Sequence, residues 1–499
     1  MSHKTAPPPI PAKIAKRAQR EIEFICRQLL RFARMPAKEH IAYLRKHPKE
    51  SFCCIPHPDG RGHYQCGALA WEKLKVLKDL VLDLNPALGR RVGHGQTMDA
   101  IIDAFVHRIL REGREVTLES ATLVLHDALE TLKRSLAVTE HFLPCVLFLN
   151  GGPDQFSIGP VTFVRRTKFF KDRKESFRHS VAVGTKAHIE HVNTVVAQGF
   201  ARERAYGEDE SKQLVRRLHA RAIKTYRGYP WIACVKVTHC DEETSGERAA
   251  RTVEMALHVI RVMLGAEATR KLRLAWSNND ALRTAHMRAD AHGVIRVSIG
   301  TSAIGPVGTQ NWHEILMQGD HALAVLGSAL APLVDPIQTY HLHERLVDAI
   351  NWFGDAANDT SSSSSIVKYV SSIERLFFGQ RHRDRKQVFA KRVKGVLAAF
   401  GCDDNEDAYA HALEVYDIRS ALLHGAYSPR DEAAQLVVYH AEQVSRMCLL
   451  CSAQLYPMML SAYGNPDPSQ LETVLERVTE EGIDWLAQEA GFTISSRAP

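Results

Sequence analysis

The sequence predicts an α+β multidomain protein. It divides into a helical N-terminal region over 1–137, a central α+β region over 138–335, a helical C-terminal region over 336–465 and a helical tail over 466–499. Three observations carry that reading. Apolar residues recur at helical spacing from Ala15 to about Leu136. Near Thr139 they give way to short apolar runs closed by turn residues. Around Tyr416 a helical pattern returns and runs into a glycine.

The elements follow in order. Residues 1–12 are rich in proline and are expected to lack fixed structure. Ile22, Ile25, Cys26, Leu29 and Leu30 form one helical stripe, and 100–110 another. Thr117–Leu136 reads as a third helix, with Leu118, Ala121, Leu125, Leu129 and Leu132 on one side. In the centre, 142–149 reads as a strand closed by a turn at Asn150-Gly-Gly-Pro153, and 156–164 as the strand after it. Trp231–Val237 is a further strand. Gly246–Leu264 is an amphipathic helix bearing Ala250, Val253, Leu257, Ile260 and Leu264. Strands are also expected over 272–276 and 294–299. The serine run Ser361–Ser365 is expected to be a flexible connector between two helices.

Composition narrows the class. A chain of 499 residues has room for roughly two to four domains. Its 45% hydrophobic and 24% charged residues are ordinary for a globular protein. A net charge of +7 permits nucleic-acid binding without demanding it. No apolar run approaches the ~20 residues of a membrane span, and the start of the chain lacks the apolar core of a secretion signal. Ten cysteines over this length do not make a secreted disulfide framework, so a reducing cytoplasm and no membrane partner are expected.

The most informative stretch is Arg419-Ser-Ala-Leu-Leu-His424, followed by Gly425. Ile418, Leu422 and Leu423 supply its apolar side, and Gly425 stands where a left-handed residue closes a helix. In an unbroken helix, residues five apart diverge by about 140°. If the helix relaxes at Leu423–His424, both side chains can reach one pocket. Arginine offers a planar fork of donors to a phosphate, and histidine moves protons near neutral pH. A histidine beside the last carbonyls of a helix is also favoured in its protonated form by the helix dipole.

Residues 345–356, 366–377 and 416–425, in this order and spacing, resemble the HEPN superfamily, in particular its Apea-like branch. The resemblance covers roughly 340–460. It implies an all-α HEPN-like helical bundle in which an Arg-x4–6-His motif marks metal-independent endoribonucleases. His424 would then move the proton at the ribose 2′-OH or the 5′-oxygen. Arg419 would stabilise the pentacoordinate phosphoryl group, Ser420 would position a phosphate oxygen, and Glu374 would orient His424 or Arg419. Many members carry Asn, Asp or His after the arginine, where this chain has Ser420. The resemblance further implies a homodimer or higher oligomer with facing motifs, and a role in phage defence or a toxin–antitoxin system with an unidentified trigger or antitoxin.

Weaker candidates lie elsewhere. Arg381, Arg383, Arg385, Lys386, Lys391, Arg392 and Lys394 form a basic stretch expected to bind RNA phosphates. Arg165–Lys174 interleaves cations with Phe169 and Phe170, a composition that suits phosphate binding and base stacking, although charge runs are usually solvated faces. Cys53, His57, His63 and Cys66 offer the ligand types of a structural zinc site. Their spacing is not Cys-x2-Cys, and the default is a polar loop with half-buried cysteines. The sequence thus points to a metal-independent endoribonuclease needing no cofactor for catalysis. Its rivals are a non-catalytic RNA- or nucleotide-binding dimerisation module and a zinc-dependent DNA-binding regulator built on Cys53–Cys66.

Overall fold

The computed structural model describes residues 10–59, 62–197, 207–275, 284–289, 295–300, 310–337, 340–402, 405–428 and 432–492. The proline-rich start lies outside them up to residue 9, as do Trp276 and Val294 at the ends of two predicted strands. Helices α1 (Ala12–Ala33) and α2 (Ala37–Lys46) precede a hairpin of β1 (Cys54–Pro56) and β2 (His63–Gln65). Helices α3 (Gly67–Leu84), α4 (His94–Phe105) and α5 (Leu118–Ser135) follow, then β3 (Ala137–Val146), β4 (Gln155–Ile158) and β5 (Val161–Arg165). The chain continues through α6 (Arg166–Asp172), α7 (Lys174–Ala197), α8 (Glu208–Tyr226), β6 (Trp231–Cys240), α9 (Glu242–Leu264) and α10 (Ala266–Thr269). Strands β7 (Arg273–Leu274), β8 (Thr284–Ala289) and β9 (Ile295–Gly300) lead to α11 (Trp312–Gln318), α12 (Asp320–Ser328) and α13 (Ala331–Val334).

Packing divides the chain into two units. One comprises Met1–Thr139, Arg173–Ile223 and Val237–Glu247; the other Glu140–Asp172, Lys224–Lys236 and Arg248–Pro499. In the first, α1, α3, α4 and α5 pack around one apolar core. Ile22, Ile25 and Leu29 point into it with Leu74, Leu77, Ile101, Leu125 and Leu132. Leu30, predicted on the same stripe, is exposed. The start of α5 is set by a capping box: Ser120 N–H donates to the Thr117 hydroxyl oxygen at 3.2 Å, and Thr117 N–H to that of Ser120 at 2.8 Å. Helices α7 and α8 were not predicted. They meet where Gly184 lets Val215 approach, since a Cβ there would lie 3.1 Å from the valine.

An antiparallel sheet has the order β4-β5-β6-β3-β7. Its register pairs Val161 with Val235 and Val164 with Ile232. The predicted turn at 150–153 is real, and its glycines are required. Gly151 and Gly152 have φ of +67° and +71°, and a Cβ on Gly152 would sit 2.4 Å from the Trp312 ring. The Arg165 guanidinium donates to the carbonyls of Leu149 at 2.9 Å and Gly151 at 2.6 Å and lies 4.1 Å over the Trp231 ring. It stitches the sheet together, so the phosphate-binding reading of the Arg165–Lys174 stretch loses its first residue.

The C-terminal helices are α14 (His341–Asn358), α15 (Ser362–Phe377), α16 (Arg385–Ala399), α17 (Asn405–Leu423), α18 (Glu432–Tyr463), α19 (Pro468–Glu481) and α20 (Asp484–Ala490). Ile350 and Phe353 of α14, Ile373 and Phe377 of α15, Phe389 of α16, Val415 of α17 and Leu449 of α18 are all buried. The serine run corrects an expectation. Ser361 caps α15, accepting the Ser364 N–H, while Ser365 is buried and donates its hydroxyl to the Ala356 carbonyl at 2.9 Å. Small side chains that satisfy local backbone groups start this helix rather than loosen it. Among the described residues, no helix is long and apolar enough to cross a membrane.

Candidate functional site

Helix α17 ends as its sequence requires. Gly425 takes φ +73°; Gly425 N–H donates to the Leu422 carbonyl at 3.3 Å, and Ala426 N–H to the Ala421 carbonyl at 2.8 Å. This is a Schellman closure, and it makes His424 the last residue of the helix end. The His424 ring is exposed. Among the described residues it makes no hydrogen bond or ion pair. Ser420, half-buried, accepts the His424 N–H through its carbonyl at 3.0 Å.

Arg419 follows the buried residues Ala412, Val415 and Tyr416 at helical spacing, so it faces α15. Its Nη2 donates to Glu374 Oε2 at 3.3 Å, with side-chain exposures of 22% and 10%. Glu374 thus stands beside Arg419 rather than His424. Its other oxygen lies 2.9 Å from Arg385 Nε, in an ion contact without hydrogen-bond alignment. The Tyr416 hydroxyl also bonds Glu374; burial first, and then the Glu374 charge, push that phenol above its usual range. Two guanidiniums therefore share one carboxylate, leaving one unit of positive charge on the cluster. The Nε of Arg419 is buried without a hydrogen-bond acceptor, whereas that of Arg385 already faces the Glu374 carboxylate. An unsatisfied buried donor costs about 1–3 kcal/mol.

The basic stretch divides by burial. Arg381, Arg383 and Lys391 are exposed, and Lys394 is half-buried beside the Tyr409 ring at 5.9 Å. Lys386 pairs with Asp417 at 2.6 Å across α16 and α17. Arg392 corrects the prediction that all seven bind RNA. Its side chain is 3% exposed, and its guanidinium is held by Glu472 and the Phe377 carbonyl. Glu472 also accepts from the backbone N–H groups of Gly379 and Gln380 at 2.6 and 2.8 Å and contacts His382 at 2.9 Å. Burial works to raise this carboxyl. Arg392 and the two backbone donors outweigh it and hold the group below the ordinary range. Arg392 and Glu472 are the frame on which the exposed arginines stand.

The four candidate zinc ligands do not gather. Cys53 and Cys66 flank the β1–β2 hairpin, and Cys66 is buried with its thiol on the Cys53 carbonyl at 3.1 Å. Burial pushes that thiol up to about 12. His57 packs on the Tyr64 ring, and His63 is exposed. Among the described residues these four are not a set of ligand atoms within reach of one ion. Cys53 and Cys66 spend their thiols on backbone carbonyls, and His57 packs on a ring while His63, opposite Pro56, stays exposed.

Set against protein-family models, curated proteins and solved structures, the chain matches none. The sequence reading had missed Tyr416 and Glu472, and it placed Arg385 with the RNA contacts rather than beside Arg419. Tyr416 stands three residues before Arg419, and that spacing was the available signal. Glu472 is brought in by tertiary packing alone.

Proposed function

We propose that the C-terminal helices form an RNA-cleaving domain of HEPN type, acting without a metal ion in the chemical step. The observation that carries this is the end of α17. There Arg419 and Arg385 share Glu374, which leaves one positive charge on the pair, Arg419 keeps a buried Nε–H without an acceptor, and the same helix end presents His424 to solvent. An RNA phosphate would supply the negative charge that balances the pair.

The chemistry follows from those groups. A base takes the proton of the ribose 2′-OH, the 2′-oxygen attacks phosphorus, and the bond to the 5′-oxygen breaks. That oxygen leaves with a proton from an acid, giving a 2′,3′-cyclic phosphate and a 5′-OH. His424 suits one of these proton transfers, and a second copy of the chain would bring the other. Arg419 would meet the charge that develops on the phosphoryl oxygens. A cytoplasmic setting and a defence or toxin role belong to this same reading. The test is end-group analysis of RNA incubated with the full chain in EDTA. Cyclic phosphate ends, and loss of cutting where a 2′-deoxy nucleotide replaces the attacking ribose, are expected. Products with 5′-phosphate ends would overturn the mechanism.

The Arg419–Glu374 pair also favours a second reading. An arginine already paired can serve a non-catalytic RNA- or nucleotide-binding module, which would retain RNA without cutting it.

A further inference from the structure

Away from the α17 end, His411, Glu414 and His440 converge on the surface where α17 meets α18. The first two are three residues apart on α17 and share a helical face. His440 comes from α18. The two imidazoles stack with centroids 3.9 Å apart and planes 28° from parallel. Glu414 Oε2 lies 3.0 Å from His440 Nδ1. One ligand atom from each of the three lies within 4.8 Å of the others.

We propose that these side chains form a binding site for a divalent transition-metal ion of the zinc class. The donor set decides the class. Two imidazoles and one carboxylate suit zinc and its neighbours, whereas calcium and magnesium demand oxygen ligands. Ligand atoms about 2.0–2.2 Å from a tetrahedral ion stand roughly 3.3 Å apart. The three groups therefore need to close by up to about 1.5 Å, and the stacked imidazoles must turn so that their in-plane lone pairs converge, through side-chain rotation. The His440 and Glu414 side chains are 35% and 44% exposed, so they have the freedom to turn. Three protein ligands leave a coordination position for water or a substrate atom, as in an open zinc site. The ion would bridge α17 to α18. The proposal stands apart from the nuclease reading, because neither Arg419 nor His424 supplies a ligand.

The test is calorimetric titration of chelator-treated full-length protein with Zn²⁺, alongside the visible absorption of Co²⁺ in the same protein. With 25 histidines in the chain, the comparison among variants carries the weight. One saturating equivalent of Zn²⁺ is expected for the wild type, with cobalt bands of a low-coordinate nitrogen and oxygen site. His411→Ala, His440→Ala and Glu414→Gln should each weaken binding by at least ~10-fold. Cys66→Ser and His63→Ala should bind as the wild type does. Unchanged helical circular dichroism shows that the variants fold, and His440→Gln replaces His440→Ala if the latter does not. No saturable Zn²⁺ uptake by the wild type would overturn the site. So would uptake that survives both histidine substitutions, or uptake abolished by Cys66→Ser.

Discussion

Replacing Glu374 with glutamine tests whether this carboxylate holds Arg419 in place. The change keeps the shape and removes the charge that two guanidiniums share. The Arg419 contact is largely shielded, and a hydrogen bond to a charged group there contributes about 1.5–3 kcal/mol. Arg385 is 41% exposed, so its ion contact is screened to ~0–1 kcal/mol. The glutamine oxygen restores a hydrogen bond in which only the donor is charged, about 0.5–1.5 kcal/mol. The net loss is therefore about 1–2 kcal/mol. A chain of several units need not unfold in one step, so the readout is amide hydrogen exchange resolved to α15 and α17. Protection in those two helices should fall by that amount and stay unchanged in α1–α5. In RNA cleavage, kcat should fall while KM does not rise, because the local positive charge increases as Arg419 loses its alignment. Unchanged protection together with unchanged kcat would refute the reasoning.

Four further outcomes are expected. Gly425→Ala meets no atom within 4 Å, so its cost is that of the left-handed backbone alone, about 1 kcal/mol in the amide-exchange protection of α17; it should also lower cleavage by displacing His424. Arg392→Ala takes the guanidinium from buried Glu472, which keeps its two backbone donors and His382, and should destabilise by about 1.5–3 kcal/mol. Arg383→Ala, on the surface, should cost under ~0.5 kcal/mol and reduce the salt slope of RNA binding by about 1. The carboxyl of Glu472 is held below its unfolded value of ~4.3, so its stabilisation is present above that pH and is lost as pH falls through the lower folded value. Acid unfolding of the wild type, compared with Glu472→Gln, should show this dependence only in the wild type.

Much of the fold was legible because local pattern and tertiary packing agreed. The α1 and α5 stripes, apart from exposed Leu30 and Leu118, the 150–153 turn and the α17 glycine stop state their geometry in a few neighbouring residues. Helices α7 and α8 were missed because Val215 and Ser211 are nearly all that α8 buries, so no strong apolar stripe marks it. The serine run misled because serine serves linkers and helix caps alike, and only the burial of Ser363 and Ser365 tells them apart. At the site, Arg419 and His424 stand together in one stretch of sequence, while the contact of Arg419 with Glu374 is made across two helices. Arg392 looked like its exposed neighbours in sequence. Its burial depends on Glu472, which lies 80 residues away along the chain.

The central claim is that Arg419 and His424 cut RNA from the end of one helix. It is tested most directly by the rate of RNA cleavage in EDTA for the wild type, His424→Ala and Arg419→Ala, each checked for native circular dichroism. Loss of an acid–base group should slow cleavage by ~10²–10⁴-fold in His424→Ala, with a comparable loss in Arg419→Ala. Cleavage undiminished in both folded variants would contradict the account.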